Sequence, residues 1–450
     1  MYRSCIDRIR CLQTRGTTWK HDLCVHVLMF ISLGAASAHG GTWAQFRGAT
    51  GSGYSNETNN LPTRWSDSEG LLWNIGVAGR ANSSPAVTRD RIDVTTVDQD
   101  DALYVISYNR RDGRQLRRTK VGQGRLATKG PANLYVHRHN AATPTPVADE
   151  NHVWAFFGNG LLVCVDANRG EVVWRKDMPQ TYGAYEVRFG MASSPRLWRD
   201  LLFLECITKQ ASYVVALQKQ TGEQVWKVDR RFPAKDDGRD AYSSPTIAEP
   251  ADGEPQLLVS GSDHINAYDP ATGKQLWVSD GLTIDSPYGR VIASPTHSDT
   301  VVVAVSGSPP GGGLGHILAV RADRQGILST RDKLWQVAQS TPDSSSPVAV
   351  GELLFMLSDN GVLSCLDIQS GKSYWRKRLG DGPYHASLVA GDGKVYALSI
   401  AGKCTVMSIS KEPQVVSVNQ LDGTFYATPA ISNGVLYLRS FDRLYAIQGH

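Results

Sequence analysis

Short apolar runs alternate with turns rich in glycine, asparagine and aspartate along most of the chain. Residues 153–174, VWAFFGNGLLVCVDANRGEVVW, are typical: two β-rich runs flank a Gly/Asn loop, and an aspartate then precedes glycine and a tryptophan-containing run. These runs are short, and they favour β-branched and aromatic residues, so they predict strands. The composition agrees, with 43 glycines, 21 prolines and 11 tryptophans. The sequence therefore predicts an all-β protein.

The turns and strands recur as eight units. A Ser-Ser-Pro element or a relative of it opens each unit, with His385-Ala386-Ser387 in the one unit that lacks proline; the prolines are Pro85, Pro144, Pro195, Pro245, Pro295, Pro347 and Pro429. A second marker, Asp-Gly-Trp with four-residue spacing, recurs at 166–174, 269–277 and 367–375. We expect the aspartate to begin a turn, the glycine to take a positive φ, and the tryptophan to pack against the next unit. Four strands in each of eight units predict an eight-bladed β-propeller of antiparallel blades.

The two ends of the repeat array complement each other. The last unit ends at His450 before any tryptophan strand, whereas Leu71 to Ile75, LLWNI, is a tryptophan strand with no unit of its own. Pairing the two covers both exposed sheet edges. We therefore expect residues 71–76 to complete the blade that ends at His450, so that the N-terminal strand closes the ring.

The amino terminus is typical of an export signal. Basic residues precede an apolar run from Leu23 to Ala36, and small residues follow it up to Ala38. This order predicts a signal peptide over 1–38 with cleavage after Ala38. A lead-in segment, 39–70, and the propeller, 71–450, would remain. The apolar run is too short to span a bilayer, so we expect a mature chain without a transmembrane segment, in the periplasm or secreted.

The charge and the cysteine content limit which kinds of partner and cofactor the sequence predicts. The whole chain has a formal net charge of +4, and most of this excess lies before residue 39. The mature chain is close to neutral and lacks the basic field of a nonspecific nucleic-acid binder, so we expect no nucleic-acid partner. Its cysteines form no CxxC motif, which argues against metal fingers and attached haem. We expect them to be small apolar strand residues; they are Cys164, Cys206, Cys365 and Cys404.

Loops on one face of a propeller surround the channel mouth, and these loops carry the candidate binding residues. The candidates are Arg80, Asn82, His139, Asn140, Glu186, Arg188, Arg239, Tyr242, Arg290, Asp343, His385 and Tyr426. Arginine beside aromatic or amide groups suits an anionic ligand or a protein anchor. The alternative is that these arginines are solvated loop residues beside the acidic neighbours Asp236, Asp237, Asp240 and Asp285.

His137 and His139 lack a third ligand, so we predict no metal site. No nucleophile–base pair is recognisable, and no catalytic residue is assigned.

Three segments, 153–174, 257–277 and 353–375, resemble the repeats of the pyrroloquinoline-quinone (PQQ) β-propeller superfamily. The opening WAQFRG at 43–48, followed by Leu61-Pro62 and Trp65, looks like the lead-in of exported PQQ-binding-like propellers of the planctomycete type. The resemblance implies a scaffold shared with quinoprotein dehydrogenases, with the propeller lipoprotein of outer-membrane protein assembly, and with sensor domains. One fold thus hosts unrelated tasks.

Three functions follow as hypotheses. The first is a noncatalytic binding or assembly scaffold of the cell envelope, which requires only a rigid ring and a varied rim. The second is a PQQ-dependent dehydrogenase with PQQ and calcium as cofactors, but the adjacent Cys-Cys pair typical of those enzymes is absent from the sequence. The third is a sensor for a small anionic ligand. We favour the scaffold, with an envelope protein or a small anionic ligand as partner, no cofactor, and a monomeric chain.

Overall fold

The strands of each repeat form one antiparallel sheet, and eight such sheets surround a central channel. The computed structural model describes residues 41–58, 60–126, 138–250, 253–307 and 314–449. Six sheets have four strands, and two of the eight have a fifth at one edge. The protein is therefore an all-β, eight-bladed β-propeller of four-stranded antiparallel blades, as the repeats predict.

In blades 1–4 the strands follow chain order from the channel outward. Blade 1 contains Ala86–Val87, Arg91–Val97, Ala102–Asn109 and Gln115–Gln123; blade 2 contains Val147–Ala148, His152–Phe156, Leu161–Asp166 and Val172–Asp177; blade 3 contains Arg196–Trp198, Leu201–Ile207, Ser212–Gln218 and Gln224–Asp229; blade 4 contains Thr246–Ala248, Gln256–Gly261, His264–Tyr268 and Gln275–Ser279. A short α-helix, Met178–Tyr182, follows blade 2, and a 3₁₀ turn, Asp236–Arg239, precedes blade 4.

Blades 5–8 repeat the pattern. Blade 5 contains Thr296–His297, Val301–Val305, Leu314–Arg321 and Lys333–Ser340; blade 6 contains Val348–Val350, Leu353–Leu357, Val362–Asp367 and Ser373–Arg378; blade 7 contains Val389–Gly391, Lys394–Leu398, Lys403–Ser408 and Val415–Gln420; blade 8 contains Ala430–Ser432, Val435–Arg439, Arg443–Gln448 and Leu71–Gly76. Two extra strands join in parallel: Tyr54–Ser55 at the inner edge of blade 7, and Gly326–Leu328 at the outer edge of blade 4. A 3₁₀ turn, Thr330–Asp332, follows the second of these.

Two details differ from the sequence-based expectation. In blade 2 the first strand begins at Val147, so the proline that precedes it is Pro146 and not Pro144. The Thr-Pro-Thr-Pro sequence offers two equivalent matches, and only strand pairing distinguishes them. Blade 4 exceeds the expected four strands, because residues 326–328, which lie between Asp323 and Trp335 of blade 5, pair in parallel with Trp277–Ser279.

The predicted closure of the ring is confirmed. Strand Leu71–Gly76 pairs antiparallel with the last strand, with Leu71 opposite Ile447 and Ile75 opposite Leu444. Buried Arg439 of blade 8 also joins blade 1: its guanidinium donates to the carbonyl oxygens of Ser83 at 3.1 Å and Thr95 at 2.9 Å. Both sheet edges at the junction are thereby covered, which removes a site for edge-to-edge aggregation.

The interfaces between blades, here called seams, are built from the Asp-Gly-Trp marker. In blade 4, Asp269 accepts hydrogen bonds from the amides of Ala271 and Thr272 at 2.8 and 3.3 Å, as predicted for a turn aspartate. Gly273 has a φ of 74°, and a Cβ there would lie 2.7 Å from Trp226 of blade 3. Only glycine lets the indole approach the turn so closely.

Five seam tryptophans also donate their indole N–H to a backbone carbonyl of the next blade, whereas Trp277 donates to Gln256 Oε1 of its own blade at 3.1 Å. The five bonds are Trp73 to Arg110 (3.2 Å), Trp174 to Lys219 (3.0 Å), Trp226 to Pro270 (3.0 Å), Trp335 to Ile368 (2.8 Å) and Trp375 to Ser410 (3.1 Å). Blade 1 has Arg117 at this position, and its guanidinium bonds to the carbonyl of Asn168. The arginine therefore replaces both the packing and the hydrogen bond of the missing indole.

The cores lie between neighbouring sheets. One cluster joins Phe203 and Trp226 of blade 3 to Ile247 and Leu257 of blade 4, all buried. Burial of each such side chain stabilises the fold by about 1.5–3 kcal/mol. The cysteines fit this picture: all four in the described residues are buried and free, as expected of small apolar strand residues.

Residues 41–55, here called the channel segment, cross the channel and bond to all eight blades. In order of blades 1 to 8, the contacts are Trp43 N to Val87 O (2.8 Å), Ala148 N to Ala44 O (2.8 Å), Leu197 N to Gln45 Oε1 (2.8 Å), Ile247 N to Thr50 O (2.8 Å), Thr296 Oγ1 to Ser52 O (3.2 Å), Arg47 Nη2 to Pro347 O, Ala390 N to Gly53 O (2.9 Å) and Ser432 Oγ to Gly41 O. Part of the predicted lead-in thus serves as a hub that links the innermost strands.

Two buried arginines hold this hub. Arg196 donates to the carbonyl oxygens of Phe46 at 2.7 Å, Gly48 at 2.8 Å and Pro245 at 3.0 Å. Burial lowers the pKa of Arg196 to about 9, and burial together with the positive charge of Arg196 lowers the pKa of Arg47 to about 9. Because each guanidinium donates to several carbonyls at once, the channel segment is fixed against the blades.

Candidate functional site

The loop before each first strand and the loop between the second and third strands meet on one face of the ring. Backbone bonds join them directly: Arg80 N donates to Val97 O at 2.9 Å in blade 1, and Gly158 N donates to Ala141 O at 2.7 Å in blade 2. A similar bond joins two neighbouring blades: Phe425 N, in the loop before blade 8, donates to Ile400 O, in the loop between the second and third strands of blade 7, at 2.9 Å. The predicted candidate residues therefore all belong to loops of one face, as propeller topology requires.

A belt of hydroxyl side chains encircles the channel just inside this face. Each blade contributes the residue two positions before its first strand: Ser84, Thr145, Ser194, Ser244, Ser294, Ser346, Ser387 and Thr428. Along seven of the eight junctions, the backbone N–H of one member donates to the hydroxyl oxygen of the next at 2.9–3.0 Å. The Ser-Ser-Pro marker is thus the sequence signature of this belt.

The belt surrounds a cavity of about 210 Å³ that opens on the loop face, here called the cup. Phe46 of the channel segment lies at its base. The wall above the belt combines aromatic and aliphatic side chains, among them Phe189 and Ile292, with polar groups from the loops. A concave, partly apolar cavity with converging polar groups is the arrangement expected of a small-ligand site.

Charged side chains on one side of the cup form an alternating chain. Arg188 Nη1 lies 2.9 Å from Asp237 Oδ1, Arg290 Nη1 lies 3.4 Å from Asp237 Oδ2, and Arg290 Nη2 lies 3.0 Å from Asp343 Oδ2. Arg290, Asp237 and Asp343 are buried. Burial raises the pKa of Asp343, and the positive charge of Arg290 opposes this shift. Two of the predicted rim arginines are therefore neutralised within the protein.

Asp240 is hydrogen-bonded to the backbone of the loop that carries Arg188. Its carboxylate accepts the backbone N–H groups of Arg188 at 2.9 Å and Lys209 at 3.2 Å. Burial raises its pKa to about 6, while the bond from Arg188 opposes the shift. The two amides hold the carboxylate where it orders the loop that carries Arg188.

A stack of rings forms the opposite side of the cup. His385 lies parallel to Tyr426 with a centroid distance of 5.7 Å, Tyr426 stacks on Phe441 at 5.3 Å, and the Arg80 guanidinium covers Phe441 at 4.4 Å. His385 Nδ1 is 3.2 Å from Asp359 Oδ2, which orients the imidazole. His385 Nε2 has no hydrogen-bond partner and belongs to a residue that lines the cup.

Other cup residues also carry buried polar atoms without partners. These atoms include Asn82 Oδ1, His139 Nε2, Arg290 Nε and Asp343 Oδ1. Burial lowers the pKa of His139 to about 4, so the imidazole is neutral at neutral pH. A buried polar atom without a partner costs about 1–3 kcal/mol. Because these atoms line one cavity, a ligand bound there could complete their hydrogen bonding.

The structure brings together seven of the twelve predicted site residues at the cup; they are Asn82, His139, Tyr242, Arg290, Asp343, His385 and Tyr426. The other five lie on the same face but outside the cup. Asn140 bonds to Arg80 O at 3.2 Å, Glu186 accepts from Gln210 at 2.6 Å, and Arg239 donates to Ala234 O at 3.1 Å. Arg80 and Arg188 take part in the ring stack and the charge chain described above. His137 lies outside the described residues.

Sequence reasoning missed three groups of cup residues: Phe46, the belt hydroxyls, and the apolar wall of Phe189, Ala192 and Ile292. The belt had a signal, since its hydroxyls recur with the repeat. Phe46 had none, because it belongs to the lead-in and reaches the cup only through the path of the channel segment.

The cup does not fit a carboxylate-bearing quinone such as PQQ. Arg290 is committed to Asp237 and Asp343, and the unpartnered oxygens of Asn82 and Asp343 would face ligand carboxylates with like charge or lone pairs. Within the residues that the structure describes, no cluster of three or more His, Cys, Asp or Glu side chains has the arrangement of a metal site. No helix in the same residues is long and apolar enough to cross a membrane.

Comparison with known proteins relates the chain to one family. The family model described as "Outer membrane protein assembly factor BamB" matches residues 104–228, 210–324 and 313–425. Curated relatives of that name include the protein of Alteromonas naphthalenivorans, 25% identical over 52% of this chain and 55% of its own, and that of Yersinia pestis, 22% identical over 52% and 56%. The chain thus spans about half the length of these relatives.

Solved structures support the fold. BamB from Moraxella catarrhalis superposes with a TM-score of 0.59 at 14% identity, over 84% of this chain and 99% of that one. Quinohemoprotein alcohol dehydrogenase from Comamonas testosteroni gives 0.60 at 12% identity, over 92% and 82%. At these identities the likeness concerns architecture. The repeat matches cover most of the blades, and the chain belongs to the BamB-type family of PQQ-repeat β-propellers.

Proposed function

We propose that this protein is a noncatalytic binding and assembly scaffold of the cell envelope. The observation that carries the proposal is the family match over residues 104–425, in a family described by its role in outer-membrane protein assembly. The closed ring, with a channel segment bonded to every blade, provides the rigid support that such a role requires. Its loop face varies from blade to blade, which suits recognition of a partner.

The partner surface is the loop face around the cup. Tyr288 is 46% exposed there, and the Arg188 guanidinium covers its ring at 5.4 Å. Arg80 and Arg239 are exposed on the same face. Tyrosine and arginine dominate the energetics of protein interfaces because they combine large contact area with hydrogen bonding. An envelope protein is therefore the proposed partner.

A photo-crosslinking amino acid at Tyr288 tests this assignment in living cells. Tyr374 is the matched control, since it is 38% exposed but lies on the outer strand of blade 6. We expect position 288 to capture an outer-membrane assembly protein, identified by mass spectrometry, and position 374 to capture none. Equal adducts at both positions, or none at 288, would contradict the proposed surface.

The alternative to a scaffold is a PQQ-dependent dehydrogenase, and an activity assay distinguishes the two. Purified protein titrated with PQQ and calcium should give no dye-linked oxidation of simple alcohols and sugars, because the cup does not fit a carboxylate-bearing quinone. Stoichiometric cofactor binding with turnover would replace the scaffold proposal by a dehydrogenase.

The proposed location is the periplasm or beyond. The signal peptide predicted over 1–38 lies outside the described residues, so this location remains a proposal from the sequence. Amino-terminal sequencing of native protein should give His39 as the first residue. Retained Met1 in a cytosolic fraction would exclude export.

A further inference from the structure

The base of the cup presents a ring of hydrogen-bond donors. Seven belt hydroxyls accept a backbone N–H from the preceding blade, which uses a lone pair on each oxygen. Across the described part of the chain, no belt hydroxyl donates its own hydrogen to a protein group. Since a hydroxyl has one donor and two acceptor sites, these O–H groups remain available to a ligand.

The wall above the belt presents acceptors. Asn82 Oδ1 and Asp343 Oδ1 are buried oxygens without partners. His139 adds a nitrogen: the Gly190 backbone bonds to its ring, yet Nε2 has no partner, so the bond involves Nδ1. With its pKa lowered to about 4 by burial, the neutral ring offers Nε2 as an acceptor. The cup thus combines a donor ring with an acceptor wall.

Flat aromatic surfaces complete the cavity. Phe46 lies at the base, and Phe189 and Tyr426 lie on the walls. These rings can cover the C–H faces of a ligand while the polar groups meet its hydroxyls. The volume of about 210 Å³ is below the roughly 300–1,000 Å³ of sites for drug-sized molecules, which favours a single compact unit.

Charge argues against an ion. An anion would meet Asp343, whose carboxylate already occupies Arg290 at 3.0 Å. A cation would find the Asp343 carboxylate already paired with Arg290 and would lie beside the guanidinium of Arg138, which also lines the cup. A neutral molecule avoids either conflict, and a polyhydroxylated one can donate to the wall and accept from the belt at the same time.

We propose that the cup binds one neutral sugar-like polyol unit, either a free monosaccharide or the end of a glycan chain. This site is additional to the proposed partner surface and does not depend on it. Binding at the cup and crosslinking at Tyr288 are separate measurements, so the failure of one is distinguishable from the failure of the other.

Isothermal titration calorimetry on the purified protein tests the site. The probes are D-glucose, D-mannose and myo-inositol as neutral polyols, citrate as an anion and choline as a cation. We expect at least one polyol to bind with a Kd below about 10 mM, and citrate and choline to bind more weakly or not at all. Binding of none of the polyols, or tighter binding of an ion, would overturn the proposal.

Two variants locate the binding. Ala192→Phe fills the cup from its wall and should weaken polyol binding at least about tenfold. Asp285→Asn is the control on the same face, because Asp285 is exposed and does not line the cup, and it should leave affinity unchanged. Thermal unfolding confirms that both variants fold. Polyol binding that survives Ala192→Phe would place the site elsewhere and refute the assignment.

Maltohexaose distinguishes the two sources of the ligand. If its affinity matches that of glucose, the cup accepts the terminal unit of a glycan. If only the monosaccharide binds, the cup accepts a free sugar. Both results support a polyol site, and in either case the Ala192→Phe variant must weaken binding at least about tenfold.

Discussion

The blade seams and the cup use similar residues but differ in how completely those residues are bonded. At the seam of blades 3 and 4, the Trp226 indole donates to Pro270, and Asp269 accepts two backbone amides. In the cup, Asn82 and Asp343 each keep a buried oxygen without a partner. The indole and the aspartate of this seam are bonded within the protein, whereas these two cup oxygens are not. The difference separates residues that hold the ring from residues that can bind.

The free-energy cost of the unpartnered polar atoms in the cup explains why the cup needs the rigid support of the channel segment and the belt. Each unpartnered buried atom costs about 1–3 kcal/mol. A loop alone could not hold these atoms away from water or from each other. The channel segment and the belt fix the surrounding backbone, so the framework can hold polar groups that the cup leaves without partners.

The largest expected effect lies at a seam. Trp226→Ala removes a buried ring, its bond to Pro270 and its contact with Gly273, so the free energy of unfolding should fall by about 3–5 kcal/mol. Val225→Ala is the control, since the neighbouring side chain is 49% exposed and should change stability by less than about 0.5 kcal/mol. Urea denaturation measures both. Similar losses in the two variants would mean that the seam does not depend on the indole.

The next effect depends on pH and concerns Glu205, which lies on the second strand of blade 3. Burial raises its pKa from the usual 4.5 to about 8, against the opposing effects of the Ser243 hydroxyl and Arg230. Between these values the folded protein binds a proton that the unfolded chain has lost. Stability should therefore decline by up to about 1.4 kcal/mol per pH unit as pH rises through this window.

Glu205→Gln removes this titration and keeps an oxygen for Ser243, which donates to Glu205 at 2.7 Å. Denaturation curves at pH 5, 6, 7 and 8 should show a shallower decline for the variant than for the parent protein. Parallel declines would mean that Glu205 is ionised in the folded protein across the whole range.

The smallest effect concerns the belt. Ser294→Ala removes the acceptor for the Ser244 amide, at 2.9 Å, and should cost about 1 kcal/mol. Ser294→Thr keeps the oxygen, as threonine does at belt positions 145 and 428, and should retain most of the stability. Thermal unfolding of the pair measures the belt bond. Equal stability of the two variants would show that the amide finds another partner.

The seams could be predicted because they repeat. The spacing of Asp269, Gly273 and Trp277 recurs along the chain, and each residue type has one dominant physical role in a turn or a packed interface. The orphan strand at 71–76 could be paired with the truncated last repeat for the same reason. Where the motif was ambiguous, at Pro144 and Pro146, the repeat alone gave the wrong proline.

The cup residues could be placed on one face but not assembled. Topology indicated that Arg188, Arg290 and Asp343 share a rim, yet it carried no information on which charges pair. The structure joins both arginines to Asp237, a residue that the sequence offered only as one of several acidic neighbours. Loop conformations have no period, so pairings within them depend on the packing of distant segments.

The sequence by itself determined the all-β class, the eight blades, the seam chemistry and the closure of the ring, because these follow from local patterns that recur. Tertiary structure alone decided that residues 41–55 cross the channel, that Phe46 forms the base of the cup, and that the belt hydroxyls face a common cavity. Each of these contacts joins residues far apart in the chain. They exist only once the ring has closed and brought all eight inner strands around the same segment.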